Sequence, residues 1–249
     1  MPQLSDVTRF VELTNAAKTL NDLGRLMADI TREMSFDVYA LVQHVDIRRS
    51  SNDGNVWLEN YPSCWAEAFV ARGLYTSDPI HVASQKKTAG FLWSEVGAII
   101  RLTAHHHRVL DEARKEGLAD GFTVPAHLPG EGNGTCSFGV KTGRPVPTAN
   151  LMMAQLIGTF AFESAQKIIA RQKNVPVEKP KLTQRQLDCL VLVARGKTDW
   201  EIASILGVKE ATVTDYITDA CARYNVRRRV QLVMRAVHDG HMTLRDAIG

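Results

Sequence analysis

The chain has 249 residues, of which 45% are hydrophobic and 23% charged, and a net charge of +3. That length and balance exclude a disordered or fibrous chain and suit two globular domains with a substantial core. No apolar run approaches the roughly 20 residues that cross a bilayer, and the opening MPQLSDVTRF lacks the basic-then-apolar pattern of a secretory signal, so the expected location is the cytoplasm with no membrane partner. Cys64, Cys136, Cys189 and Cys221 are scattered without a CxxC pair. They read as free thiols of a reducing compartment, with no zinc site.

From the start of the chain, Val7 to Met34 is helical in pattern, with Phe10, Val11, Leu20, Leu23, Met27 and Ile30 recurring at three and four. Phe36 to Ile47 reads as a strand ending in a polar turn, Arg48 to Gly54, and Asn55 to Tyr61 as a second strand. Pro62 begins a helix that carries Trp65 and Phe69 to about Arg72. Asp78-Pro79 starts another, Asp serving as N-cap and Pro as first helical residue. Gly90 to Trp93 is a short extended piece, and a helix runs from about Thr103 to Glu116 until Gly117 stops it. Strands Gly121–His127 and Thr135–Lys141 follow, joined by a glycine-rich turn, Pro129 to Gly134. A long helix covers Pro147 to Gln172. Strands interleaved with helices predict an α/β domain, an antiparallel sheet flanked by helices. The two prolines and several charges of Arg171–Lys181 read as a linker.

Leu182 to Val230 is the most informative stretch. Thr183 is a good N-cap, and Leu187, Leu190, Val191 and Ala194 fall on one face of the helix it opens. Gly196 ends that helix, and Thr198 or Asp199 caps a second, Trp200 to Leu206, with Ile202, Ala203 and Leu206 inward. After the turn at Gly207-Val208, a third helix runs from about Lys209 to Tyr224. A fourth carries Val230, Leu232, Val233 and Ala236 as its apolar stripe. Two short helices joined at Gly207 make a helix-turn-helix whose third helix suits the major groove, although any small helical bundle shares this periodicity.

Charge is distributed as a nucleic-acid footprint requires. Residues 1–170 carry 16 basic and 18 acidic side chains, whereas residues 181–249 carry 11 and 8. Arg223 and the run Arg227-Arg228-Arg229 are the densest part, a candidate for phosphate contacts.

The landmarks Leu182-Thr183, Leu190, Gly196-Lys197-Thr198, Glu201-Ile202-Ala203, Leu206-Gly207-Val208, Thr212-Val213 and Asn225-Val226 resemble the C-terminal domain of the LuxR family of bacterial transcription regulators. Upstream, Asn60-Tyr61-Pro62, Trp65, Phe69, Asp78-Pro79, Trp93-Ser94-Glu95, Gly121-Phe122, Pro125 and Ser137 resemble the same family's autoinducer-binding domain, over roughly residues 20 to 170. Trp65 lies 13 residues before Asp78, and Asp78 lies 15 before Trp93. The resemblance implies an acyl-homoserine lactone-binding domain at 1–172, a linker at 173–181 and an all-α DNA-binding domain at 182–249. It implies a homodimer on an inverted repeat of double-stranded DNA, paired through the helix 147–172, with no cofactor beyond the lactone.

Carried over residue by residue, the resemblance has the Trp65 indole donate to the lactone carbonyl and Asp78 accept from the ligand amide. Tyr61 donates to the acyl carbonyl, assisted by Ser137; Trp93 and Phe69 are apolar walls, and Gly121 leaves room for ligand or a tight turn. An amide buried in an apolar pocket needs such partners. Phe69 stands where many relatives carry Tyr, and Ile80 where some bring a hydroxyl, which implies an acyl chain little oxidised near its third carbon. On the DNA side the candidates are Lys197, Lys209, Thr212, Thr214, Asp215, Tyr216, Thr218, Arg223, Arg227, Arg228 and Arg229. Two departures stand out: Gln186 replaces the usual Glu, and the third helix offers Thr214, Asp215, Tyr216 and Thr218 where relatives place basic residues. Asp215 would be repelled by phosphate or accept from a cytosine amino group.

His105-His106-His107 points around a helix instead of converging, and reads as a solvated helix start. Cys136 reads as a small buried residue. Neither a nucleophile elbow nor a phosphate loop is present, so an enzyme acting on the lactone ranks far below a regulator. The nearer alternative is an orphan regulator of the same architecture, sensing another small molecule or acting without ligand through heterodimers.

Overall fold

The computed structural model describes residues 3–44, 55–127, 133–172 and 180–248. The anticipated turn Arg48–Gly54, residues 45–47 of the first strand, most of the turn Pro129–Gly134, and linker residues 173–179 lie outside them. Contacts divide the chain into two compact units near residues 175 and 176. None of the described helices is long and apolar enough to cross a membrane.

The first unit opens with two helices where one was expected: α1 (Leu4–Ala16) and α2 (Leu20–Glu33). The break has a local cause. Thr19 Oγ1 accepts from the Asp22 backbone N–H at 3.1 Å, and Asp22 Oδ2 accepts from the Thr19 N–H at 3.0 Å, so a capping box restarts the helix. A five-stranded antiparallel sheet follows, built from β1 (Val38–Gln43), β2 (Trp57–Glu59), β3 (Phe91–Leu92), β4 (Leu118–Ala126) and β5 (Gly134–Lys141) in the order β2-β1-β5-β4-β3. Between β2 and β4 the chain forms α3 (Ser63–Ala71), α4 (Pro79–Ser84), the short α5 (Val96–Ile99) and α6 (Ala104–Lys115); α7 (Leu151–Gln172) closes the unit.

Strand alternation sorts side chains between two helical layers. Cys136 and Val124 face α7, where a Cβ on Gly158 would come within 3.2 Å of both, and Phe36 packs on Phe138 with ring centroids 5.5 Å apart. Thr123, Ser137 and Val42 face the other way, toward α3 to α6. Every residue of β1 and all but the last of β5 are buried, as strands covered on both faces must be. The fold is thus the expected antiparallel sheet flanked by helices. Cys136 is fully buried and its thiol is pushed well above the ordinary range by burial.

The second unit is all helical: α8 (Gln184–Ala194), α9 (Asp199–Leu206), α10 (Glu210–Arg223), α11 (Arg229–His238) and α12 (Leu244–Ile248). Gly207 ends α9 at φ 65°, a left-handed conformation that costs glycine nothing. Two inward faces differ from the pattern read in the sequence. In α8 the buried residues are Gln186, Cys189, Leu190 and Val193, while Leu187, Val191 and Ala194 are half-buried. Gln186 turns inward because its Oε1 caps the helix, accepting from the Thr183 N–H at 3.0 Å. In α11, Leu232 and Ala236 point inward at i and i+4, which leaves Val230, two positions off that line, 69% exposed.

Candidate functional site

A cavity of about 150 Å³ lies in the first unit between the sheet and the α3–α6 layer. Each side chain of the wall reaches its place for a local reason. Trp57 and Glu59 alternate with Leu58 along β2 and line the cavity together. Trp65 and Phe69, one helical turn apart on α3, present the same face with ring centroids 5.5 Å apart. Asp78 caps α4, its Oδ1 accepting from the Ile80 N–H at 3.0 Å, and the residue is only 8% exposed. Tyr61, Trp93 and Ser137 also line the wall.

A hydroxyl chain ties these together. The Trp93 indole N–H donates to Thr123 Oγ1 at 2.8 Å, Thr123 Oγ1 lies 2.8 Å from Ser137 Oγ, and Ser137 in turn hydrogen-bonds the Tyr61 phenol. Burial pushes the Tyr61 hydroxyl well above the ordinary phenol range, with the charges of Asp78 and Glu59 adding to the effect. Trp93 is therefore more than an apolar wall: its polar edge is spent inside the protein. By contrast, the Trp65 indole N–H finds no acceptor among the described residues, so it stays available to a cavity occupant.

Gly121 plays a different part from the one expected. It does not line the cavity and lies within β4; a Cβ there would meet the Phe138 carbonyl at 2.5 Å and the Trp93 ring at 2.7 Å. The missing side chain seats the Trp93 indole flat on the sheet. Three residues were not singled out from sequence. Thr123 is the fully buried hinge of the hydroxyl chain. His81, on α4, contacts Asp78 Oδ2 through Nε2 at 3.4 Å, meets Phe69 edge-on and stacks on His44 with centroids 3.9 Å apart. Glu59 brings a second half-buried carboxyl to the wall, raised above its ordinary range by burial. The i,i+2 step from Glu59 to Tyr61 was the available signal. Nothing local marks Thr123.

His44 is pushed down to about 2, chiefly by burial and then by His81 and His127, so it is a neutral ring. The His105–His107 tract begins α6 behind its Thr103 cap. His105 Nε2 lies 2.7 Å from Ser77 Oγ, and no cluster of three metal-ligating side chains exists among the described residues.

In the second unit, α10 presents Lys209, Thr214, Asp215 and Thr218 to solvent, with Thr212 and Tyr216 half-buried. Several anticipated groups are held internally. Asp199, at the start of α9, accepts from Arg229 Nη2 at 2.6 Å and from Thr214 Oγ1 at 2.9 Å, clamping α9, α10 and α11 together. Arg223 donates to the Lys181 carbonyl at 2.7 Å, and Lys197 pairs with Glu201 at 3.1 Å. Arg227 and Arg228 are exposed and pair with no carboxylate among the described residues. Thr198, and not Asp199, is the N-cap of α9, accepting from the Glu201 N–H at 3.3 Å.

Comparison with known proteins agrees with this division of labour. Residues 19–165 match the autoinducer binding domain family, and residues 180–236 match the luxR family of bacterial regulatory proteins. The transcriptional activator protein LuxR of Aliivibrio fischeri is 28% identical over 242 residues, 94% of either chain. The quorum sensing-dependent regulator RpaR of Rhodopseudomonas palustris is 28% identical across 74% of both chains. Among solved structures, Escherichia coli SdiA superposes with a TM-score of 0.64 at 20% identity, covering 95% of this chain and 98% of that one. SdiA bound to octanoyl-rac-glycerol gives 0.63 at 20% identity, over 96% and 97%. At that identity the likeness is one of fold.

Proposed function

From its place in the LuxR family of bacterial transcription regulators, to which this chain belongs, we propose that it binds an acyl-homoserine lactone in the sheet–helix cavity and an inverted-repeat DNA site as a homodimer. The observation that carries this reading is one wall joining Tyr61, Trp65, Asp78 and Ser137 around an apolar lumen. An acyl lactone has an amide N–H and two carbonyls that must be paired once buried. Asp78 accepts from the amide, the unused Trp65 indole donates to the lactone carbonyl, and Tyr61, steadied by Ser137, donates to the acyl carbonyl. Phe69 and Ile80 supply apolar surface. Residues 1–172 are the ligand domain, 173–181 the linker and 182–249 the DNA-binding domain.

The ligand acts by mass action. An occupied cavity stabilises the folded state by about 2.7 kcal/mol at a hundredfold excess over Kd. Dimerisation, through the exposed face of α7, sets two copies of α10 about one DNA turn, ~34 Å, apart. In α10 the base edges fall to Thr212, Asp215, Tyr216 and Thr218, and phosphates to Lys209, Arg227 and Arg228. A regulator of this kind works in the cytoplasm.

The test is the soluble yield and melting temperature of the full chain with a panel of acyl-homoserine lactones. The expected result is a rise confined to one range of acyl lengths and lost in Trp65→Ala and Asp78→Ala. A folded protein indifferent to every lactone refutes the reading and leaves a ligand-independent regulator of the same family.

A further inference from the structure

One cavity group has no part in the amide–lactone recognition just described. Glu59 lies on β2, two residues before Tyr61, and shares with Trp57 the strand face that lines the lumen. One carboxyl oxygen, Oε2, accepts from the Tyr61 backbone N–H at 2.6 Å. The other has no partner among the described residues. The cation that lines the cavity, Arg114, is engaged with Asp111 at 2.8 Å. Glu59 and Asp78 both line the cavity with Tyr61, and the bond to the Tyr61 N–H holds the Glu59 carboxyl beside the residue that receives the acyl carbonyl. Asp78 is already matched to the ligand amide. A second acceptor on the wall next to Tyr61 calls for a second donor on the ligand.

We propose that Glu59 is a specificity-determining residue of the cavity, and that the preferred ligand carries a hydroxyl on its acyl arm in addition to its amide N–H. The proposal rests on the acyl-lactone reading above and replaces the expectation of an acyl arm little oxidised near its third carbon, which took Phe69 and Ile80 into account but not Glu59 on the same wall. A hydroxyl donates to the free Glu59 oxygen. A ketone at the same place turns its lone pairs toward a carboxylate and, with Phe69 and Ile80 as the neighbouring walls, finds no donor there. An unsubstituted chain leaves the carboxyl to water. A hydrogen bond to a charged group in such a setting makes the hydroxylated ligand about tenfold tighter than its unsubstituted counterpart.

The experiment titrates the full chain with three homoserine lactones of equal acyl length: unsubstituted, 3-oxo and 3-hydroxy. The expected order in the wild type is 3-hydroxy tightest and 3-oxo weakest. In Glu59→Gln the amide oxygen keeps the bond to the Tyr61 N–H and the amide nitrogen turns a donor toward the lumen, so 3-oxo overtakes 3-hydroxy. In Glu59→Ala the three ligands converge. Equal binding of hydroxylated and plain lactones by the wild type, or an unchanged order in Glu59→Gln, overturns the role of Glu59 while leaving the acyl-lactone reading intact. Failure of all three to bind overturns that reading and this proposal with it.

Discussion

Replacing Thr123 by Val tests whether the hydroxyl chain beneath the cavity is a working part of the fold. The substitution preserves shape at a site with no solvent exposure and removes a single oxygen that serves two neighbours, Trp93 Nε1 at 2.8 Å and Ser137 Oγ at 2.8 Å. Ser137 keeps its bond to Tyr61. The indole N–H can only donate and has no other acceptor among the described residues, so it is left unpaired at a cost of about 2 kcal/mol. For a domain of this size that corresponds to a fall in Tm of about 4–8 °C. Urea denaturation followed by tryptophan fluorescence reports it directly, because Trp57, Trp65 and Trp93 all lie in the first unit. Ligand affinity should fall too, since Ser137 and Tyr61 lose the anchor that fixes them, and Thr123→Ser should restore most of it. Stability within about 0.5 kcal/mol of wild type would refute the reasoning: the indole would then be finding its acceptor elsewhere.

Three further outcomes are expected. His44 titrates at about 2 in the folded chain, against about 6.5 when unfolded. The unfolded chain therefore binds a proton that the folded chain refuses, and stability is lost as pH falls from about 6.5 toward about 2. At pH 5 the loss from this ring is about 2 kcal/mol, and in His44→Gln the decline between pH 7.5 and 5, measured by urea unfolding, should be shallower by that amount; an equal slope contradicts it. In the second unit, Arg229→Ala should loosen the α9–α10–α11 clamp at Asp199, by no more than about 1 kcal/mol because the guanidinium is 45% exposed. Arg227→Ala and Arg228→Ala should leave stability unchanged. Each should lower the salt dependence of duplex binding by about one unit of slope, as the loss of a phosphate contact does.

The local grammar of the chain was enough for much of this. Asp78-Pro79, Thr103, Thr183 and Gly207 mark helix ends by the bonds their own side chains and backbones make within a few residues, and each stands at such an end. Alternation and length separated the sheet domain from the helical one. The misreadings share one origin. The Val7–Met34 stretch kept its helical period across Thr19, so periodicity hid a break that only the cap reveals. Val230 left its expected inward place because burial in α11 follows helix orientation, and polarity alone does not report it.

The ligand wall divides in the same way. Tyr61, Trp65, Phe69, Asp78, Trp93 and Ser137 were legible because they stand in an ordered series along the sequence. That Thr123 links Trp93 to Ser137 was not legible, because it depends on Thr123 standing opposite Ser137 across β4 and β5, and pairing between strands is not encoded in any local window. Gly121 was expected to leave room for ligand or a tight turn, but what approaches it is the Trp93 ring and the Phe138 carbonyl. Arg229 and Thr214 likewise looked free for DNA until folding brought Asp199 between them. Sequence determined which residues were chemically equipped to bind. Tertiary structure decided which of them were left unpaired to do so, because a hydrogen bond made inside the protein is no longer on offer to a ligand.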